Sequence, residues 1–311
     1  MKILIVCSEN SGQVSPFVLE QVSSLQSMGV EIEFFLIDKK GIVGYLTKRN
    51  SLLNRIKVFQ PDIIHAHYGL SGLLANLQRH IPVVTTYLGS DINYQKVLFF
   101  SRIAMILSSH NIFVSEKNRI QSGFHHKQSL IPFGVITDLF SPIDKNQARK
   151  KLSLDLNKRL VLFAGSFLNP VKNPELAHKA VSLLPNVELL KTGGGFSREQ
   201  IVLLLNAVDV AMMTSFSEGS PQFIKEAMAC NCPIVSVPVG DVPEMIREVD
   251  GCYLSSYEPS DVADKLCLAL AYGKRTDGRK RILELHLDSE SIARRILEVY
   301  SEVLIKTQKL G

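Results

Sequence analysis

Tryptophan is absent from these 311 residues, and cysteine occurs only five times. The five (Cys7, Cys230, Cys232, Cys252, Cys267) are odd in number and mostly sit in apolar, strand-like or helix-like runs. That argues against a disulfide framework and for buried thiols in a reducing cytoplasm. Cys230-Asn231-Cys232 has one spacer residue where a redox or zinc pair has two, so no metal site is expected. Long hydrophobic runs are missing too. The longest, Val97 to Leu107, is broken by Arg102 well short of the ~20 residues a membrane-spanning helix needs. At the N-terminus, the apolar run ending at Cys7 is too short for a secretory leader and is cut off by Glu9 and Asn10. Neither a span nor a leader is expected. The chain also lacks a dense Lys/Arg run with interleaved aromatics, and nucleic acid is not an expected partner. No internal repeat is visible.

What is present describes a compact protein. Hydrophobic residues make up 46% and charged residues 21%, and the length suits about two domains. The net charge of +5 is unevenly placed. Residues 1–150 hold sixteen Lys and Arg against ten Asp and Glu; the remainder holds nineteen against twenty. A basic first half beside a neutral second half suggests different partners for the two, such as an anionic acceptor or an anionic membrane face, against a solvated basic surface.

Short apolar runs alternate with helical patterns. Lys2 to Cys7, Glu31 to Ile37, Asp62 to His67, Pro82 to Thr86, Asn111 to Ser115 and Ser129 to Pro132 read as strands. Pro16 opens a helix that Gly29 stops, and Ser71 to Gln78 reads as another. Around Asp144 to Arg159 the composition turns charged, as an inter-domain connection would. The alternation then restarts with strands at Leu160 to Ala164, Val187 to Leu190, Val210 to Thr214, Pro233 to Val237 and Gly251 to Leu254. Helices at Ser260 to Ala271 and Ser289 to Ile305 close the chain. The expected fold class is α/β: two Rossmann-like doubly wound parallel-sheet domains facing across a cleft. They are expected at 1–150 and 151–311, with the last helix free to pack back on the first domain.

The chemistry concentrates between Thr214 and Ala229. A buried strand ends at Thr214, and Ser220 and Pro221 read as N-cap and first residue of a helix. Such a helix start offers free N–H groups and the positive end of a dipole to a phosphate. Glu218 lies just outside it, and Glu226 lies inside a helix otherwise apolar at Phe223, Ile224, Ala227 and Met228. A carboxylate accepts from two adjacent hydroxyls at once, as on a ribose.

Glu218, seven residues, then Glu226, within Glu-Gly-Ser-Pro and Glu-Ala-Met-Ala, resembles the signature of family 4 glycosyltransferases. Pro233 to Val237, Gly240, Glu244, Gly165 and Lys172-Asn173 continue the resemblance. So do Asp62 to Gly69, Gly89-Ser90-Asp91, Ile131 to Val135, Asp138 and Phe140-Ser141-Pro142 in the first half. The resemblance implies a GT-B fold and transfer from a nucleotide-diphosphate sugar with retention. It implies no metal and no cofactor beyond that sugar nucleotide as substrate. Carried over, Glu226 holds the donor ribose, and Glu218 lies beside the donor sugar. Gly219 and Ser220 offer N–H groups to sugar or phosphate, and Lys172 neutralises the leaving diphosphate. Gly12 lets backbone approach the same phosphates. Ser166, a further candidate donor-binding residue, stands where the family has an arginine, and Leu88 where it has a histidine. The stretch from Leu190 to Leu203, with Thr192-Gly193-Gly194-Gly195, is shorter than in many relatives.

Other residues keep two readings. His65 and His67 share a strand face; His65 reads as structural, while His67 is a candidate catalytic residue evenly balanced against a structural role. Asp91 reads first as a turn cap. Lys39, Lys40, Lys48, Arg49, Arg55 and Lys57 accompany Leu52, Leu53, Ile56 and Phe59 on one helical face. That segment fits either a peripheral contact with the inner membrane surface or a core-packed helix with a wet side. The expected function is sugar transfer from a donor, UDP-linked by family habit, to a glycan or lipid-linked acceptor in cell-surface polysaccharide synthesis. The alternatives are a non-catalytic sugar-nucleotide or carbohydrate-binding protein of the same fold and a nucleotide-sugar epimerase. Sugar transfer separates the first from binding alone, and product analysis without acceptor identifies the second.

Overall fold

The computed structural model describes residues 1–9, 12–193 and 195–308. Asn10 and Ser11, which follow the first expected strand, and Gly194 of the Thr192-Gly193-Gly194-Gly195 stretch lie outside the described residues. The chain forms two compact units: Met1–Phe133 together with the final segment from Ser289, and Gly134–Asp288.

The first unit carries β1 (Lys2–Ser8), β2 (Glu31–Ile37), β3 (Ile63–His67), β4 (Val83–Tyr87), β5 (His110–Phe113) and β6 (Gln128–Leu130). They form one parallel sheet in the order β2-β1-β3-β4-β5-β6. Because successive side chains of a strand point to opposite faces, β1 feeds two cores. Ile3, Ile5 and Cys7 pack under helix Pro16–Ser27 and helix Ser289–Gln308. Leu4 and Val6 pack with Leu52, Phe59, Leu70 and Leu74 from the opposite helices. The apolar stripe of helix Arg49–Phe59 is thus spent in the core, with Ile56 packed against it, so the wet-sided core helix is the reading that holds for that segment. The last helix buries Ile292, Ile296, Val299, Tyr300 and Val303 in the first unit. Each such side chain contributes about 1.5–3 kcal/mol over leaving it exposed, enough to fix the helix there.

The second unit carries β7 (Arg159–Phe163), β8 (Val187–Lys191), β9 (Val210–Met213), β10 (Ile234–Ser236) and β11 (Cys252–Leu254), parallel in the order β11-β10-β9-β7-β8. Its two chain ends are tied together: Val135 bridges Asp288, and Val135 N donates to Leu287 O at 2.9 Å.

The charged stretch from Asp144 to Arg159 is not a connection, and the units do not part at 150/151. Asp144 caps helix Lys145–Lys151 by accepting from Gln147 N at 2.9 Å. Arg149 on that helix is only 1% exposed. Composition misplaces the boundary because a linker and a wet-sided helix are equally charged. Among the described residues no helix is long and apolar enough to cross a membrane.

Candidate active site

In the second unit β8 and β9 lie on opposite sides of β7. The chain therefore switches direction between β7 and β9, and loops leaving two such strands diverge to leave a ligand crevice at their carboxyl ends. Lys172 follows β7 and Glu218 follows β9. After β7 the chain turns at Gly165 (φ +124°), where a Cβ would lie 3.1 Å from Lys172 Cγ. The missing side chain thus leaves room for the lysine stem. Asn169 opens a short 3-10 turn, Pro170–Lys172, by accepting from Val171 N at 3.1 Å. The loop after β9 is stitched to this one. The Thr214 hydroxyl donates to the carbonyls of Lys172 (3.0 Å) and Asn173 (2.9 Å), and Phe216 N donates to Val171 O at 2.9 Å. The result is a half-buried ion pair, Lys172 Nζ to Glu218 Oε1, at 2.7 Å.

Gly240 (φ +59°) supports the same loop from β10. Asp241 N donates to Gly219 O at 3.2 Å, and a Cβ at position 240 would sit 2.2 Å from that oxygen. The helix begins one residue later than the sequence suggests. Pro221 is the N-cap in extended conformation, the helix runs Gln222–Ala229, and the Ser220 side chain makes no cap bond. Glu226 is buried on that helix and accepts from Arg198 Nη2 at 2.8 Å. Arg198 opens helix Arg198–Ala207 behind a Ser197/Gln200 capping box, its guanidinium 4.7 Å from the Phe140 ring centre.

Of the residues singled out from sequence, the structure gathers Lys172, Glu218, Gly219, Ser220, Glu226 and Ser166 in the second unit. Ser166 is turned into its own loop. Its Oγ accepts from Leu168 N at 3.2 Å, and a Cβ on Gly193 would meet Ser166 Cα at 2.3 Å. Sequence reasoning missed Arg198, Lys225 and Asp241. Arg198 is the cation held on Glu226, and the only sequence signal was its place just inside a helix start. Lys225, in an otherwise apolar run, is fully buried and donates to Gln222 Oε1 at 2.9 Å; Gln222 Nε2 donates to Gly134 O at 2.8 Å. Burial pulls the Lys225 ammonium down to about 8, opposed by the Asp241 and Glu226 carboxylates. Burial also pushes the Asp241 carboxyl up, opposed by Lys225.

His67 and Gly12 belong to the first unit, at the carboxyl ends of β3 and β1. Gly12 turns with φ +93°, its N–H bonded to Glu9 O at 2.8 Å. His65 is fully satisfied, Nδ1 on the Tyr300 hydroxyl at 2.6 Å and Nε2 on Thr86 Oγ1 at 2.7 Å. His67 stacks on His65 at 4.4 Å, is buried, and neither ring nitrogen has a hydrogen-bond partner. It lines a cavity of about 430 Å³ together with Ser8, Tyr45, Leu70 and Leu88. Asp91 is the turn cap: it accepts from Gly69 N (2.9 Å), Leu88 N (3.0 Å) and Gly89 N (2.8 Å), tying the ends of β3 and β4 together. Burial pushes its carboxyl up to about 6 against those donors.

Burial also drives His67 down to about 3 and His65 well below its ordinary value. The unfolded chain takes protons on both below about pH 6.5 while the folded one does not, so their stability is full above that pH and lost as pH falls. His67→Gln is expected to recover about 2 kcal/mol of the loss between about pH 7.5 and about pH 5, read from urea midpoints. An unchanged loss means that His67 protonates in the folded state.

Residues 161–271 match the family described as Glycosyl transferases group 1, and residues 2–108 the one described as Glycosyl transferase 4-like. The chain is similar to D-inositol 3-phosphate glycosyltransferase of Mycolicibacterium vanbaalenii, 25% identical over 280 residues, 71% of this chain and 62% of that protein. It is also similar to the putative teichuronic acid biosynthesis glycosyltransferase TuaC of Bacillus subtilis, 28% identical over 218 residues, 60% of this chain and 55% of that one. It therefore covers less than two thirds of the length of either relative. In fold it matches sucrose-phosphate synthase from Thermosynechococcus elongatus (TM-score 0.84, 17% identity, 98% of this chain and 100% of that one). It also matches HepE of Anabaena, solved in complex with UDP (TM-score 0.76, 18% identity, 97% of this chain and 100% of that one). With both halves matched, and the Lys172–Glu218 pair and Glu226 inside the match over residues 161–271, the chain belongs to the group 1 glycosyltransferases and has their GT-B pair of Rossmann-like units.

Proposed function

We propose that the chain transfers a sugar, with retention of anomeric configuration, from a nucleoside-diphosphate sugar to a hydroxyl of a glycan or lipid-linked acceptor in the cytoplasm. The Lys172–Glu218 pair at the β7/β9 switch point carries this reading, because it joins a cation for a leaving diphosphate to a carboxylate beside the sugar. In the ligand-free protein both carboxylates are held by cations, Glu218 by Lys172 and Glu226 by Arg198. A diphosphate competes for Lys172 and releases Glu218 toward the sugar. A ribose competes for Glu226 and releases Arg198 toward the phosphates, where Ser166 offers no charge. The acceptor oxygen bonds to the anomeric carbon on the face the leaving group vacates. The bond from that carbon to the diphosphate breaks with its electron pair going to the diphosphate, and the acceptor proton passes to a departing phosphate oxygen. Lys172 stabilises the charge that develops, and no further acid or base is required.

UDP is the expected carrier, by analogy with HepE, solved with UDP and with UDP-glucose. A cell-surface polymer is the expected product, by analogy with the teichuronic acid relative. Thermal-shift measurements against UDP-, GDP- and ADP-sugars rank the base, since a ligand bound only by the folded form raises its melting point. Glu226→Ala is expected to weaken binding of the preferred nucleotide sugar at least about tenfold, the worth of hydrogen bonds to a charged group. Wild-type affinity in that variant removes Glu226 from the site, and a donor that binds without transfer to any hydroxyl acceptor removes the enzymatic reading.

A further inference from the structure

The second unit exposes few aromatic rings, and all of them stand at one edge of its sheet. Among the described residues its exposed Phe and Tyr side chains are Phe196, Phe216 and Tyr257, which follow the carboxyl ends of β8, β9 and β11. That is also the edge of the Lys172–Glu218 pair. Phe216 and Tyr257 meet. Their rings lie nearly parallel, 13° apart with centroids at 5.8 Å, although Phe216 is 61% and Tyr257 40% exposed. Both are held from behind. The Tyr257 hydroxyl donates to Ser215 O at 3.0 Å, and Phe216 N donates to Val171 O at 2.9 Å, one residue from Lys172. Phe216 thus hangs from the loop that carries Glu218 two residues on, and from the contact that aligns Lys172.

We propose that the Phe216–Tyr257 pair is a carbohydrate subsite, on which a pyranose ring of a glycan acceptor lies with its C–H face against an aromatic face. Calling that glycan the acceptor rests on the sugar-transfer reading; the subsite then holds a sugar beyond the one that reacts and favours a glycan chain over a single sugar. An exposed ring pair gains from many partners, and charge and size select this one. From Cys252 to Asp264 the sequence has three carboxylates and no Lys or Arg, and from Thr214 to Ile224 one and none. Such a surface repels nucleic acid and anionic lipid, while carboxylates accept readily from sugar hydroxyls. The two rings expose on the order of 200 Å², about a quarter of the ~800 Å² that one partner of a stable protein complex covers. One or two sugar rings cover that area. A pyranose also matches both parts of the surface. Its C–H groups meet the negative face of the aromatic ring, and its hydroxyls project toward the polar residues that flank the rings, Ser217, Ser256 and Glu258. Because the pair is already stacked and pinned, little side-chain freedom is lost on binding.

The test is an NMR titration of the intact protein, carbon-13-labelled at Phe and Tyr, with neutral hexasaccharides of glucose, galactose, mannose and N-acetylglucosamine. Spectra of Phe216→Ala and Tyr257→Ala assign the two rings. At least one hexasaccharide is expected to shift both ring signals, and to bind more tightly than its monosaccharide. Phe216→Ala is expected to weaken that binding at least about fivefold, Phe216→Leu by a similar factor because it keeps the apolar bulk without the flat face, and Phe216→Tyr is expected to retain it. Phe216 is exposed, and unchanged melting temperatures confirm that its variants are folded. No nucleotide sugar is present, so a failed titration leaves the sugar-transfer reading standing, and glycan binding without turnover defeats only that reading. The proposal is overturned if no hexasaccharide shifts the ring signals or if Phe216→Leu binds like the wild type. It is also overturned if Phe216→Ala weakens UDP binding instead, which makes the rings a platform for the base, or if it abolishes a concentration-dependent dimer in sedimentation velocity, which makes them a contact between two copies.

Discussion

Replacing Lys172 by alanine is expected to lower kcat about 10²- to 10³-fold, the cost of losing one preorganised charge at the point where negative charge develops. The donor KM is expected to change far less, because the leaving diphosphate gains most of its charge on the way to the transition state. The frame around Lys172 does not depend on its ammonium. The Thr214 hydroxyl holds the main-chain carbonyls of Lys172 and Asn173, and Phe216 N holds that of Val171. The variant therefore keeps its loop while Glu218 loses its cation. Lys172→Arg is expected to recover part of kcat by restoring the charge with a different shape. Steady-state kinetics with the best donor decide, and a kcat within a few-fold of wild type in Lys172→Ala takes the lysine out of the reaction.

The largest expected loss of stability belongs to Arg149→Ala, about 4 kcal/mol, the range seen when one partner of a buried ion pair is removed. The Arg149 guanidinium donates to the carbonyls of Ala207 (2.7 Å), Asp155 (3.2 Å), Leu156 (2.8 Å) and Lys158 (2.9 Å), and to Asp209 Oδ2 at 2.9 Å. It thus closes the approach to β7 onto the start of β9. Its removal strands several buried acceptors at once, each costing about 1–3 kcal/mol if left unsatisfied. Asp209 keeps Lys145 Nζ and Leu160 N, which limits the loss on the carboxylate side. Lysine at this position restores the charge but not the fork that reaches four carbonyls, so Arg149→Lys is expected to recover less than half. Chemical denaturation followed at several denaturant concentrations measures both. A loss under about 1 kcal/mol is what an exposed linker arginine gives, and it contradicts the burial described for this residue.

Arg149 also shows where sequence reading stops. Its neighbours Lys145, Lys150 and Lys151 make the segment read as a solvated linker, and nothing local marks one of four cations as buried. Only carbonyls contributed by the turn before β7 and by Ala207, 58 residues away, make that position a core site. The same holds for Leu52, Ile56 and Phe59: their spacing fixes a helix with an apolar stripe, but whether the stripe meets a sheet or a lipid surface depends on what lies beneath it. Ser220 and Pro221 announced a helix start, and the helix begins one residue on, because cap preferences mark a neighbourhood and not an atom.

The sequence by itself determined the alternation of strands and helices, the parallel α/β class and the Glu218-to-Glu226 block, because these rest on periodicity and on residue types a few positions apart. Only the tertiary structure decided where the units divide, that the last helix joins the first unit, and that Arg198 meets Glu226 and Lys172 meets Glu218. Those pairings join residues 28 and 46 positions apart, and their distance in space is set by strand order in the sheet, which local spacing along the chain does not encode.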